Sequence, residues 1–166
     1  MTNRRHKTEA ALHKLIYPLC HKADELRAER QSAQAEQLYL RALVLTDFLC
    51  GRDHRFNAVI CNNLAVLYKS VGRFDEAAQL YQRSLVITER ARGAEHPDVA
   101  LTLNNLAVLL KRKGNYAEAA QLYRRALAIF RQSLGPAHPK VITCQNNLAR
   151  LKLRLAKAKP EIQQPG

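Results

Sequence analysis

Tryptophan is absent from the chain, methionine occurs once, and only six tyrosines and four phenylalanines are spread over 166 residues. With 47% apolar content the chain can still fold, but its packing has to rest on Leu, Ala, Val and Ile. No uninterrupted apolar run approaches the span of a membrane helix. The N-terminal stretch is broken by His13 and Lys14, so it lacks the apolar segment of a signal peptide; Arg4, Arg5 and Lys7 leave a transit peptide as the alternative. Cys20, Cys50, Cys61 and Cys144 form no CxxC pair and fall at helical apolar positions, as expected of small buried thiols in a reducing compartment, without disulfides. Gly-rich phosphate loops, HExxH and GxSxG strings are missing, and after residue 100 the only carboxylates are Glu118 and Glu161. General acid–base chemistry would have to come from the N-terminal half. The expectation is a protein that is not an enzyme and carries no cofactor or metal.

What is present is repetition. The string NNLA begins at Asn62, Asn104 and Asn146, a step of 42 residues each time. Ala35, Ala77 and Ala119 keep the same step, as do Tyr39, Tyr81 and Tyr123, and His54, His96 and His138. Such a period belongs to stacked helical units. Within each unit, small residues (Ala65, Ala77, Ser84 and their copies Ala107, Ala119, Ala126) alternate with large ones (Leu64, Leu80, Tyr81 and their copies), as close helix packing requires.

Helix ends are written in the sequence as well. Gly72 and Gly114 suit left-handed C-caps, Asp75 and Glu76 place negative charge at a helix start, and Pro97 suits a first helical position. Pro18 predicts a kink or break near Tyr17, and Thr8 a first N-cap. The first unit is irregular: Lys22 stands where the later units have Leu64 and Leu106, and Arg30 where they have Gly72 and Gly114. These signals divide the chain into a degenerate repeat (8–50), two regular repeats (51–92 and 93–134) and a capping helix (138–158). Flexible tails are expected at 1–7 and 159–166.

The pattern Leu64-Ala65-Tyr68, followed by Gly72, Phe74, Ala77, Tyr81 and Ser84, resembles the tetratricopeptide repeat. The 42-residue period, the NNLA string and the linker Gly93, His96, Pro97, Val99, Ala100 are similar to the extended repeats of kinesin light chains. Leu110 in place of Tyr68 and Arg55 in place of a proline after His54 depart from that pattern. The resemblance implies an all-α fold, a right-handed α-solenoid of stacked helix-turn-helix units, and first helices that line a concave peptide groove.

Net charge is +13 and unevenly placed: residues 100–141 hold seven basic residues against one acidic, and 142–166 five against one. Such a field attracts anionic partners. Asn62 and Lys69 share one face of a first helix, as do Asn104, Lys111 and Arg112, and then Asn146, Arg150 and Arg154. By the resemblance these eight residues line the groove, the amides bonding a peptide backbone and the cations its acidic side chains. The function expected is a cytoplasmic adaptor or scaffold that binds an extended or acidic peptide of a protein partner. Two alternatives stand beside it: a nucleic-acid (RNA) binding module acting through the basic C-terminal half, and a structural subunit of a larger assembly. The periodic histidines are read as bonding nearby backbone, because residues a full repeat apart cannot share one ion at the roughly 2 Å that zinc needs.

Overall fold

The computed structural model describes residue 10 and residues 12–158. The tails expected at 1–7 and 159–166, and the N-cap expected at Thr8, lie outside the described residues. The rest is helical: a π-helical turn at Leu12–Ile16, then α1 (Tyr17–Ala28), α2 (Ser32–Cys50), α3 (Arg55–Ser70), α4 (Phe74–Arg92), α5 (Pro97–Lys113), α6 (Tyr116–Leu134) and α7 (Pro139–Ala158). The break foreseen at Pro18 is that π-turn, after which proline takes up the first turn of α1. There its ring fixes φ near the helical value, while the wider π-turn before it takes up the change in hydrogen-bond register. No described helix is long and apolar enough to cross a membrane.

Two compact units divide between Ala94 and Glu95. In the first, α1 packs on α2, α2 on α3, and α3 on α4. Ala23, Ala35, Ala42, Ala65 and Ala77 are fully buried, so helix axes approach where side chains are smallest. Ser84, also buried, adds a bond of its own, its Oγ donating to the Ala58 carbonyl at 2.8 Å across the α3–α4 pair. The rings of Tyr39 and Tyr81 fill the wider gaps at zero exposure. Leu80, expected beside them, is only half-buried.

Polar groups then fasten the first unit in ways its repeats do not share. The Tyr39 hydroxyl donates to the Asp24 carboxylate, which also receives the Arg27 guanidinium at 3.0 Å. Tyr68 donates to Glu36 at 2.7 Å, Arg73 reaches the same carboxylate at 2.6 Å, and the Arg73 guanidinium lies 3.8 Å above the Tyr68 ring. The Tyr68 phenol is pushed up to about 12 by burial and then by the neighbouring Glu36 charge, so it stays a donor. The places 42 residues on are Leu110, Ala78 and Asn115, which cannot build this clasp.

In the second unit α6 packs on both α5 and α7. Ala107, Ala119, Ala126, Leu103, Leu109, Tyr123 and Phe130 are buried to 1% exposure or less. Along α7, Val141, Cys144, Leu148 and Leu151 are buried, while Ile142, Gln145, Ala149 and Lys152 are exposed. The same four positions of α5 are the buried Ala100, Leu103, Ala107 and Leu110. Polar Gln145 and Lys152 thus replace two core leucines on a face that no described residue covers.

One turn recurs in all three helix pairs. The amides of Gln31, Arg73 and Asn115 donate to the carbonyls of Leu26, Tyr68 and Leu110 at 2.8–2.9 Å, the six-residue bond that closes a left-handed helix end. The left-handed residue is Gly72 (φ 87°), Gly114 (φ 87°) and, in the first repeat, Arg30 (φ 63°). For a residue with a Cβ this conformation costs about 1–2 kcal/mol.

Candidate functional site

Each linker histidine proves to be an N-cap, which the sequence reading came near to without naming. His54 Nδ1 accepts from the Phe56 amide at 3.3 Å, His96 Nδ1 from Asp98 at 3.1 Å, and His138 Nδ1 from Lys140 at 3.1 Å. The accepting lone pair exists only on neutral imidazole. For His54, burial and the adjacent Arg55 charge lower the pKa below the usual histidine value, so the folded state favours the neutral ring. Its cap therefore stabilises fully above the unfolded pKa of about 6.5 and is lost as pH falls through the lower folded value. Between about pH 7.5 and 5, wild type should lose up to about 1 kcal/mol more than His54→Asn, whose amide caps without titrating. Urea midpoints at the two pH values check this.

The residues expected to line a groove belong to both units. In the first, Asn62 and Lys69 are half-buried on α3, and the Asn62 amide donates to Asn63 Oδ1 at 3.4 Å. In the second, α5 carries Asn104 and Lys111, both half-buried, and exposed Arg112; α7 carries Asn146, Arg150 and Arg154, all exposed. Asn147 Nδ2 donates to Asn104 Oδ1 at 3.5 Å, which brings the two first-helix faces of this unit together. Arg154 lies 5.2 Å from the Tyr116 ring centroid and so turns toward the start of α6. The side chains of Lys111 and Arg150 make no hydrogen bond or ion pair among the described residues.

Sequence reasoning missed the second asparagine of each pair. Asn63 Nδ2 reaches Asp24 at 3.5 Å just as Asn147 reaches Asn104, so it is this residue that ties one first helix to the preceding one. The NN doublet was the available signal: in α3 and in α7 its second member reaches back to the preceding first helix. Also missed was a cavity of about 390 Å³ in the first unit, lined by Arg27, Arg30, Ser32, Val66, Ser70 and Val71.

The thiols are unsuited to nucleophilic work. Cys61 and Cys144 are fully buried, and burial pushes both up to about 11. No group of three or more potential metal ligands occurs among the described residues.

These helix pairs, with a shared turn and small-to-large packing at a 42-residue step, define a helical repeat protein. A family model described as tetratricopeptide repeat matches residues 19–88, 57–132 and 98–163, and the chain belongs to that family. Among solved structures, the chain is similar to BtubC (BKLC) from P. vanneervenii, at 22% identity over 89% of this chain and 67% of that one, with a TM-score of 0.69. A putative kinesin light chain from Podosopora anserina, with nearly identical TPR-like repeats, aligns at 20% identity over 93% of this chain and 77% of that one, TM-score 0.70. The type III secretion translocator chaperone SycD of Yersinia enterocolitica gives 16% identity, 89% and 92% coverage, and a TM-score of 0.67. At these identities the likeness is one of fold. No curated protein matches the chain.

Proposed function

We propose that the protein is a non-enzymatic, cytoplasmic adaptor acting as a single repeat domain over residues 8–158, with α7 as its cap. It holds an extended, acidic peptide of a protein partner on its first-helix faces. Asn62, Lys69, Asn104, Lys111, Arg112, Asn146, Arg150 and Arg154 make the contacts. The observation that carries this reading is the pair Lys111 and Arg150, on the first-helix faces of a unit with twelve basic and four acidic residues. Within that unit the carboxylates are too few to neutralise the cations, so an acidic partner supplies the missing charge. Similarity to repeat proteins such as the translocator chaperone SycD supports a protein partner. Nucleic acid is the weaker reading: of the three aromatics in the basic unit, Tyr123 and Phe130 are buried and Tyr116 faces Arg154, leaving little for bases to stack on. A role as a structural subunit that docks a second copy would show as an apparent mass that rises with protein concentration in light scattering.

Lys111 and Arg112 sit in the last turn of α5, where cations also favour the helix dipole. Lys111→Gln with Arg112→Gln is therefore a cleaner test than reversal to Glu, which would add repulsion at the helix end. Loss of two charge-assisted hydrogen bonds at about 1.5 kcal/mol each should weaken the partner about a hundredfold, with the melting temperature shifted by only a few degrees. Unchanged affinity would move the site away from α5.

A further inference from the structure

We propose that the cavity of the first unit is a subsite for the carboxylate side chain of an Asp or Glu in the bound peptide, gripped by Arg30. The inference rests on the peptide-binding reading above and adds where, and through which residue, the acidic chemistry is read.

Arg30 occupies a backbone position that the same chain fills twice with glycine. Its φ of 63° matches the left-handed turns at Gly72 and Gly114, and the turn-closing hydrogen bond is the same in all three. At those two glycines an added Cβ would meet nothing within 4 Å, so a Cβ at this position gains no contact in return for its strain. Arg30 itself is exposed, and its guanidinium has no hydrogen bond or ion pair among the described residues. The helix dipole at the end of α1 favours a cation here but does not require the left-handed position to carry a side chain, and strain of this kind gathers where a ligand is bound.

The surroundings supply the ligand chemistry. The cavity of about 390 Å³ is walled by Arg27 and Arg30, the hydroxyl-bearing Ser32 and Ser70, and Val66 and Val71, with no carboxylate in its lining. Arg27 is held in place by Asp24 at 3.0 Å and Tyr39 at 3.4 Å, a fixed cation beside the free one. Asp24 already meets the charge of Arg27, so Arg30 is the cation of the lining without a carboxylate partner, and it calls for an anionic occupant. The valines, Val71 being 48% exposed, offer an apolar wall to an aliphatic stem or neighbouring side chain. No aromatic lines the cavity, so a base has nothing to stack on and a peptide carboxylate fits better than a nucleotide phosphate.

The test is selection of random peptides of about twelve residues, displayed on phage, against the full-length chain. Display through the peptide C-terminus leaves only side-chain carboxylates to be read. Winners are then made as synthetic peptides with amidated and with free C-termini. Expected are winners containing Asp or Glu that bind alike in both forms. Arg30→Gly in the protein and Glu→Gln in the peptide should each weaken binding about tenfold or more, and together no more than either alone. Arg30→Gly should melt no lower than wild type, since glycine accepts the turn; a clearly lower melt makes the arginine structural and overturns the proposal. Winners that bind Arg30→Gly as tightly as wild type overturn the subsite but leave the peptide-binding reading intact. Winners that need a free C-terminus overturn the side-chain assignment. If no peptide is enriched at all, the adaptor reading falls with it.

Discussion

Phe130→Ala is expected to destabilise the second unit by about 3–5 kcal/mol, the usual loss when a buried ring is truncated. Phe130 is 1% exposed on α6, the helix that packs on both α5 and α7. Its counterparts 42 and 84 residues earlier are Thr88 and Thr46, both buried, each hydroxyl donating at 2.7 Å to the carbonyl one turn back. The repeat thus fills one position twice with a small residue and once with a ring. A ring that packs without exposure means the space around it in the second unit is larger, so alanine leaves a cavity and does not restore the earlier arrangement. Against a total stability of about 5–15 kcal/mol, the melting temperature should fall by on the order of 20 °C. Far-ultraviolet circular dichroism checks this, and a shift of only a few degrees would mean that the helices close over the gap.

Asn57→Val should destabilise the first unit by about 2–4 kcal/mol, although it copies Val99 and Val141, the residues of the later units. Consensus reasoning predicts the opposite sign. Asn57 is completely buried, and its Nδ2 lies 2.8 Å from Asp47 Oδ1, 2.9 Å from the Gly51 carbonyl and 3.1 Å from the Arg52 carbonyl. It thereby ties α3 to the end of α2 and to the loop that follows. Arg83 adds a second clamp on the same Asp47 at 2.8 Å. Valine leaves these acceptors short of a donor in a partly closed site, and an unmade bond costs more than the methyl groups return. Urea unfolding of Asn57→Val gives the answer, and a midpoint equal to or above wild type would show that the amide network contributes nothing net.

Phe130 and Asn57 also mark where the sequence stops being legible. The period, the helix pairs and most helix ends could be read because no insertion disturbs the 42-residue step, and because Gly72, Gly114, Pro97 and Pro139 carry backbone constraints in their own covalent structure. The alternation of small and large residues was readable for the same reason, although Leu80 and Leu122 turn out half-buried. What repetition hides is any position where one unit departs from the others for a local purpose. In the sequence Asn57 differs from Val99 and Val141 without a stated reason, and its role exists only once Asp47 and the loop carbonyls are brought to it. Arg30 was visible as an oddity in the glycine column, but its left-handed backbone and the cavity beside it exist only once α1, α2 and α3 are packed.

The basic first-helix residues were legible as a charge pattern alone. Spacing placed Asn104, Lys111 and Arg112 on one helix, yet it did not reveal that Asn147 braces Asn104 or that Arg154 turns onto Tyr116. Both contacts join residues about forty apart in sequence, beyond the reach of helical periodicity. On the proposed peptide-binding reading, the contact of Arg154 with Tyr116 makes Lys111, Arg112 and Arg150 the first cations to test in the second unit.

The most direct test of the adaptor reading is a salt titration of two binding curves, one with a pool of acidic peptides and one with random single-stranded oligonucleotides. Both should bind at low salt, since a net charge of +13 attracts any polyanion. The account predicts that peptide binding persists at physiological salt, held by amide and charge-assisted hydrogen bonds, while oligonucleotide binding falls away steeply as counterions compete. Submicromolar, sequence-blind oligonucleotide binding at physiological salt, with no retained peptide binding, would contradict it.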